Sequence, residues 1–346
     1  MALIPVTILT GFLGSGKTTL LKHILTEEHG KKIAVIENEF GEENIDNDIL
    51  VQDSQETIVQ MSNGCICCTI RGDLVEALNT LWEQRKAKKI QFDRVVIETT
   101  GVANPGPVAQ TFFMDDDVAD HYVLDAVVTL VDAKHGQQQL NEHEEAQRQV
   151  GFADQIFITK TDLVSSAEVE ALRNRLMHMN PRAPIQGISK GVVPLEAVLD
   201  LKGFNLNAKL DIDPHFLEQD DHDHGHDHHD HGQCGHDHSH DHHGHSGHTD
   251  RIQSFVFRSD KPFDHKKLED FLGGILEVFG EKMLRYKGVL YVKGSNRKVV
   301  FQGVHQMMGS DLAGPWGAEA KQTRMVFIGI DLPKDTLLAG LEGCLA

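Results

Sequence analysis

Eight residues near the amino terminus have the types and spacing to hold a phosphate chain. Gly11-Phe-Leu-Gly14-Ser15-Gly16-Lys17-Thr18 matches the pattern G-x-x-x-x-G-K-[ST] in full. The glycines let consecutive N–H groups face an anion without side-chain clash. Lys17 brings a point charge to the β- and γ-oxygens, and the Thr18 hydroxyl is placed to bind Mg²⁺. Ser15 and Thr19 complete the loop, and the helix that begins there presents its N-terminus to the phosphates. The predicted ligand is a nucleoside triphosphate.

A second acidic element belongs at the end of a neighbouring strand. Val95-Val-Ile-Glu98-Thr-Thr-Gly101 supplies a buried run, a carboxylate at its tip and a glycine three residues on. Glu98 is expected to reach Mg²⁺ through a water or to orient the attacking water, which makes Lys17, Thr18 and Glu98 the candidate catalytic groups. Gly101 is expected to donate its N–H to the γ-phosphate. Further on, Thr159-Lys160-Thr161-Asp162 is close to N-K-x-D. Guanine presents a ring N–H and an amino group side by side, and the Asp162 carboxylate accepts from both, whereas adenine has no such pair. Lys160 is expected along the purine face, and Thr159 in place of Asn is expected to loosen one contact. Ile188-Ser189-Lys190 supplies a further loop against the base. GTP, with GDP as product, is therefore favoured over ATP. No Gln follows Gly101 and no arginine finger is evident, so hydrolysis should be slow and stimulated by a partner, a metal or self-association.

Other residues point to a transition metal. Cys65-Ile-Cys67-Cys68 crowds three thiols into four positions, and thiolates suit Zn²⁺ and Cu⁺. Three such ligands leave a tetrahedral site incomplete, which suits transfer better than retention. The loop expected after Ile33–Ile36 carries Glu37, Glu39 and Glu42, and Glu37 and Glu42 are candidates to complete a mixed oxygen–sulfur site. The competing readings are buried small cysteines and a solvated acidic loop. From His222 to His248 the chain holds 13 of its 22 histidines, among them His222, His224, His226 and His228. Neutral imidazoles on a flexible chain make many weak, exchanging metal sites, while a plain solubilising linker is the competing reading.

These groups need a scaffold that gathers strand ends. Apolar runs at Val6–Leu9, Ile33–Ile36, Val95–Ile97, Ala126–Val131 and Gln155–Ile158 alternate with helical patterns at Thr18–Leu25 and Leu74–Trp82. That is an α/β fold, a P-loop NTPase with a mostly parallel sheet, whose ligand face lies at the carboxyl ends of the strands. Residues 1–205 are read as this domain. Residues 206–250 are a linker with a His/Asp-rich tract that cannot bury a core. Residues 251–346 form a smaller α+β domain, with strands at Ser254–Phe257, Met283–Val292, Lys298–Gln306 and Met325–Ile330, a helix at His265–Phe279 and a terminal helix.

With 346 residues, two domains are the natural expectation. The net charge of −19 argues against a nucleic-acid partner, although eight Asp residues between Asp220 and Asp250 contribute much of it. No 18-residue apolar stretch and no signal-peptide pattern is present, so no membrane association is expected. Cysteine usage suggests a reducing cytoplasm.

Taken in order, these stretches resemble the CobW-type GTPases, with Thr10–Thr19, Val35–Glu42, Asn63–Cys68, Glu98-x-x-Gly101 and Thr159–Asp162 in family sequence. Leu284-Arg-Tyr-Lys-Gly288 and Pro315-Trp-Gly317 extend the resemblance to the C-terminal part. The resemblance implies a GTPase domain, a smaller C-terminal domain and delivery of a metal, often zinc, to client proteins. It also implies Glu37, Glu42 and Cys67 as foremost metal ligands, with Cys65 and Cys68 behind them. The expected activity is that of a slow GTPase that binds Zn²⁺, with Co²⁺ or Ni²⁺ as alternatives, and transfers it to a client under nucleotide control. A homo-oligomer is compatible with this. A zinc-buffering protein that relies on the His tract is the alternative, and a small-molecule P-loop kinase is disfavoured by Asp162.

Overall fold

Val6, Ile8 and Leu9 are fully buried in β1 (Ile4–Gly11), the middle strand of a seven-stranded parallel sheet. The computed structural model describes residues 3–27, 30–37, 57–60, 69–204 and 250–346. The sheet contains β2 (Ile33–Glu37), β3 (Thr57–Gln60), β4 (Arg94–Glu98), β5 (Tyr122–Asp132), β6 (Gln155–Thr159) and β7 (Ile185–Gly187), in the order β3-β2-β4-β1-β5-β6-β7. Strands β1, β2, β4, β5 and β6 are buried along nearly their whole length, so they are apolar almost throughout, whereas the edge strand β7 is half-buried to exposed. This is why short apolar runs were sufficient to find five of the seven.

Helices α1 (Lys17–Thr26), α2 (Thr69–Lys86), α3 (Pro105–Met114), α4 (Asp116–Ala119), α5 (Gly136–Glu142), α6 (Glu144–Phe152) and α7 (Ser166–Met179) belong to this part of the chain. Helix α1 buries Leu20, Leu21, Ile24 and Leu25, the four expected residues. Helix α3 starts where Asn104 accepts from the Gly106 N–H and Pro105 occupies the first turn. Helix α7 starts with a reciprocal cap between Ser165 and Glu168.

Residues 252–345 fold as a five-stranded antiparallel sheet with two helices. The strands are β8 (Ile252–Ser259), β9 (Met283–Leu290), β10 (Arg297–Val304), β11 (Met307–Pro315) and β12 (Thr323–Ile330), in the order β11-β10-β9-β12-β8. Helices α8 (His265–Phe279) and α9 (Lys334–Gly343) cover one face, where Phe255, Phe263, Leu272, Phe301, Phe327 and Leu341 form the core. The other face packs on the first domain. In β12, Met325 and Phe327 enter the helix-covered core, while Val326, Ile328 and Ile330 join Val150 and Phe152 of α6. Period-two alternation thus serves two cores at once.

Two expectations change here. Glu37 does not open a loop; it ends β2, 6% exposed, because pairing with β4 continues one residue past Ile36. The strands expected to reach Val292 and Gln306 end at Leu290 and Val304. After Val304 the chain turns through His305 at φ +52° into β11, an exposed edge strand without apolar alternation.

A polar seam closes the interface. Arg285 on β9 and Arg182 each donate to Asp154 Oδ1, at 2.7 and 2.5 Å, and Asp154 Oδ2 accepts from the Val127 N–H at 2.9 Å. The Arg285 guanidinium lies 3.7 Å from the ring centroid of Phe204. Burial alone would raise the Asp154 carboxyl, but the two arginines outweigh it and hold it below the usual carboxylate range.

Candidate functional site

Where β1 ends, the chain turns through Gly14 and Gly16, and Gly16 occupies the N-cap of α1 at φ +95°, a conformation that disfavours any side chain. Three consecutive carbonyls of the loop are held from outside. Leu13 O accepts from Gln139 Nε2 at 3.3 Å, Gly14 O from Lys160 Nζ at 2.7 Å and Ser15 O from Thr159 Oγ1 at 2.8 Å. In a trans peptide the N–H points opposite to the C=O. Fixing these carbonyls therefore fixes the directions of the Gly14 and Gly16 N–H groups. The Ser15 side chain is fully buried beneath Gly11, so only its backbone belongs to the loop surface.

Lys17 folds back, with Nζ donating to Gly11 O at 2.9 Å. Burial lowers its pKa while the nearby Glu98 raises it, and the net shift is downward. A bound polyanion would restore the charge that burial opposes. Thr18 and Thr19 are exposed on the first turn of α1, and Thr18 Oγ1 donates to Glu98 Oε1 at 3.1 Å. Gly101 is buried against the loop: a Cβ there would stand 2.8 Å from the Leu13 N. The spacing of Glu98 and Gly101 therefore brings both to the P-loop, as expected.

The Thr159–Asp162 segment also reaches the P-loop. The Thr159 hydroxyl holds the Ser15 carbonyl directly. Lys160, in the left-handed region at φ +57°, bonds Gly14 O and Asp132 Oδ2. Asp162 is exposed and accepts from Ser189 Oγ at 2.8 Å, a bond that holds its carboxyl below the usual range. The Ser189 loop is thus beside Asp162.

Asp132 was not among the expected site residues. It ends β5, is 1% exposed, and binds Lys160 Nζ and His135 Nδ1 through Oδ2 and two backbone N–H groups through Oδ1. Burial works against its charge, yet the Lys160 and His135 bonds prevail and lower its pKa. Its position at a strand's carboxyl end was the available signal. Gln139 and Gln149 lie on α5 and α6, helices the apolar pattern does not reveal.

Glu37 stands one strand away from this constellation, opposite Glu98 in the β2–β4 register. Glu42, Cys65, Cys67, Cys68, His222, His224, His226 and His228 lie outside the described residues. Among the described residues, no group of three His, Cys, Asp or Glu is placed to hold a metal, and no helix is long and apolar enough to cross a membrane.

The description of the CobW/HypB/UreG nucleotide-binding domain matches residues 5–186, and that of the cobalamin synthesis protein CobW C-terminal domain matches residues 252–345. The zinc chaperone YjiA of Escherichia coli is 41% identical over 98% of each chain. The chain belongs to the CobW family of P-loop GTPases. Zinc chaperone CobW of Pseudomonas aeruginosa is 32% identical over 100% of this chain and 92% of that one. A crystal structure of Zn(II)-bound YjiA GTPase from E. coli superposes with a TM-score of 0.77 at 37% identity, covering both chains completely. Within this CobW-family framework, the two sheets correspond to the two matched regions, and the P-loop lies at the carboxyl edge of the first.

Proposed function

We propose that this chain is a GTP-gated metal chaperone that takes up zinc and passes it to a client protein under nucleotide control. The observation that carries the reading is the register between β2 and β4. Glu37, the candidate metal ligand, faces Glu98 on the adjacent strand, about 4.8 Å across the sheet. Glu98 in turn accepts from Thr18 of the P-loop. A carboxylate assigned to the metal and one assigned to the nucleotide are thus neighbours, so a change of charge at one is felt at the other. The relatives' names, zinc chaperone in two cases, support zinc as the cargo.

On this reading Lys17 leaves the Gly11 carbonyl for the β- and γ-oxygens, and the N–H of Gly101 meets the γ-phosphate. Asp162, oriented by Ser189, accepts from guanine. The Thr18 hydroxyl and the Glu98 carboxylate are hard oxygen donors in contact, the kind of pair that suits Mg²⁺, and would hold it. When bound, Mg²⁺ supplies neutralisation of charge on the β- and γ-oxygens. Cys67 with Glu37 and Glu42 would bind the cargo, with Cys65 and Cys68 available for exchange and the His222–His248 tract raising local zinc concentration. The client, and any second copy of the chain, would supply what stimulates hydrolysis.

Competition titration of Zn²⁺ against a chelator, in GDP and in a non-hydrolysable GTP analogue, tests the proposal. Different affinities in the two states are expected, with the difference lost in Cys67→Ala. Equal affinities would overturn nucleotide control. Loss of zinc binding on deleting residues 222–248, with Lys17→Ala harmless, would favour zinc buffering instead.

A further inference from the structure

Helix α6 carries two buried glutamines that face different partners. Gln149, 1% exposed, donates through Nε2 to Gly101 O and to Ala103 O, both at 3.1 Å. Its backbone carbonyl accepts from Thr129 Oγ1 of β5 at 2.8 Å. Gln147 Oε1 accepts from the N–H groups of Arg251 and Ile252, at 3.0 and 3.3 Å, where the C-terminal domain begins. Gly151, near the end of α6, has no room for a Cβ beside Leu284 and Ile252. The helix is therefore fixed to β5 on one side and to the second domain on the other.

A fixed helix makes Gln149 a fixed anchor. Two inward carbonyls need donors when buried, and a carboxamide is a neutral side chain that offers two N–H groups from one atom. On its opposite side the Gly101 loop meets Leu13 of the P-loop, so closely that a Cβ on Gly101 would overlap the Leu13 backbone. The loop is set between these two supports, at the end of the P-loop formed by Leu13.

We propose that Gln149 is a positioning residue for GTP: by holding the Gly101 and Ala103 carbonyls it fixes the turn in which the Ala103 N–H donates to Thr100 O, and the held Thr100–Gly101 peptide presets the Gly101 N–H for the γ-phosphate. This rests on the assignment of Gly101 to the γ-phosphate made above. GDP lacks that phosphate, so Gln149 contributes to GTP affinity and turnover and leaves GDP affinity alone.

The test uses the full chain with Mg²⁺, comparing wild type, Gln149→Glu, Gln149→Ala and Gly101→Ala. Affinities for fluorescent GDP and for a fluorescent non-hydrolysable GTP analogue are measured beside single-turnover hydrolysis and thermal unfolding. Gln149→Glu keeps the shape but removes both donors; Gln149→Ala removes the side chain without burying a charge. Both are expected to weaken GTP about tenfold while GDP changes less than twofold. Equal weakening of both nucleotides would mark a merely structural residue and overturn the proposal. Unchanged affinities, or tighter GTP binding, would overturn it too. If Gly101→Ala leaves the GTP-to-GDP ratio intact, the γ-phosphate assignment itself fails. If Gly101→Ala abolishes the preference and the Gln149 variants retain it, only the positioning role fails.

Discussion

The hydroxyl of Thr18 donates to Glu98 across 3.1 Å, joining the first turn of α1 to the end of β4. The two residues are 80 positions apart, and parallel pairing of β1 with β4 brings them together: Leu9 is level with Glu98 in that register. A hydroxyl and a carboxylate in contact beside a P-loop lysine form a pair of hard oxygen donors, which on the proposed function stands where triphosphate charge is neutralised.

From that contact follows the behaviour of Glu98→Gln. The amide keeps size and hydrogen bonding to Thr18 but removes the negative charge. Turnover of GTP should fall about 10²-fold, the scale of losing one charge-positioning group at a reacting centre. GDP affinity should stay within a few-fold. Single-turnover hydrolysis across a Mg²⁺ titration measures this, and unchanged turnover would remove Glu98 from the catalytic set.

Asp132 offers a second test, because the Lys160 it holds also holds the Gly14 carbonyl of the P-loop. Asp132→Ala releases Lys160 Nζ from one of its two bonds and uncaps two backbone N–H groups. GTP and GDP should both bind about tenfold more weakly, with their ratio preserved. That pattern differs from the one expected of Gln149, so the same titrations separate the two.

How much of this was written legibly in the chain differs from residue to residue. Gly11–Thr18 is legible because its chemistry is local: each group is within eight residues of the others. Strands β1, β2, β4, β5 and β6 are legible because burial on both faces makes them apolar runs. Glu98 and Glu37 were found as carboxylates at strand ends, but their register as neighbours is a property of the sheet and has no sequence signal. Helices α5 and α6 are rich in Gln and carry few apolar residues, so their pattern does not announce them, and with them Gln139 and Gln149 went unseen. The apolar residues on the second face of β12 declare a buried surface without saying that α6 covers it.

The buried seam between the domains predicts a stability effect. Asp154 is the acceptor shared by Arg182 and Arg285. Asp154→Ala leaves two buried guanidinium groups without their carboxylate and should cost about 3–5 kcal/mol. Arg285→Met should cost less, since Asp154 keeps Arg182 and the new side chain still covers Phe204. Urea unfolding of the two variants compares them, and a larger loss for Arg285→Met would contradict this account of the seam.

His305 gives the pH dependence of the same interface. It is 9% exposed, packs edge-on against Phe152 with ring centroids 5.2 Å apart, and approaches Gly106 of α3 so closely that a Cβ there would meet its Nε2. Burial lowers its pKa from the ordinary 6.5; the nearby Gly280 and Glu281 backbone and the charge of Glu281 pull upward, while Arg148 adds to the lowering. The folded value is therefore below the unfolded one, and the neutral ring favours the folded state. This contribution is fully present above about pH 6.5 and is lost as pH falls from there toward the folded value, because the unfolded chain takes up the proton first. Between pH 7.5 and 5.5 the wild type should lose stability more steeply than His305→Gln, which has no titrating ring. Urea midpoints at three pH values for both proteins measure the difference, and parallel slopes would show that His305 does not titrate on unfolding.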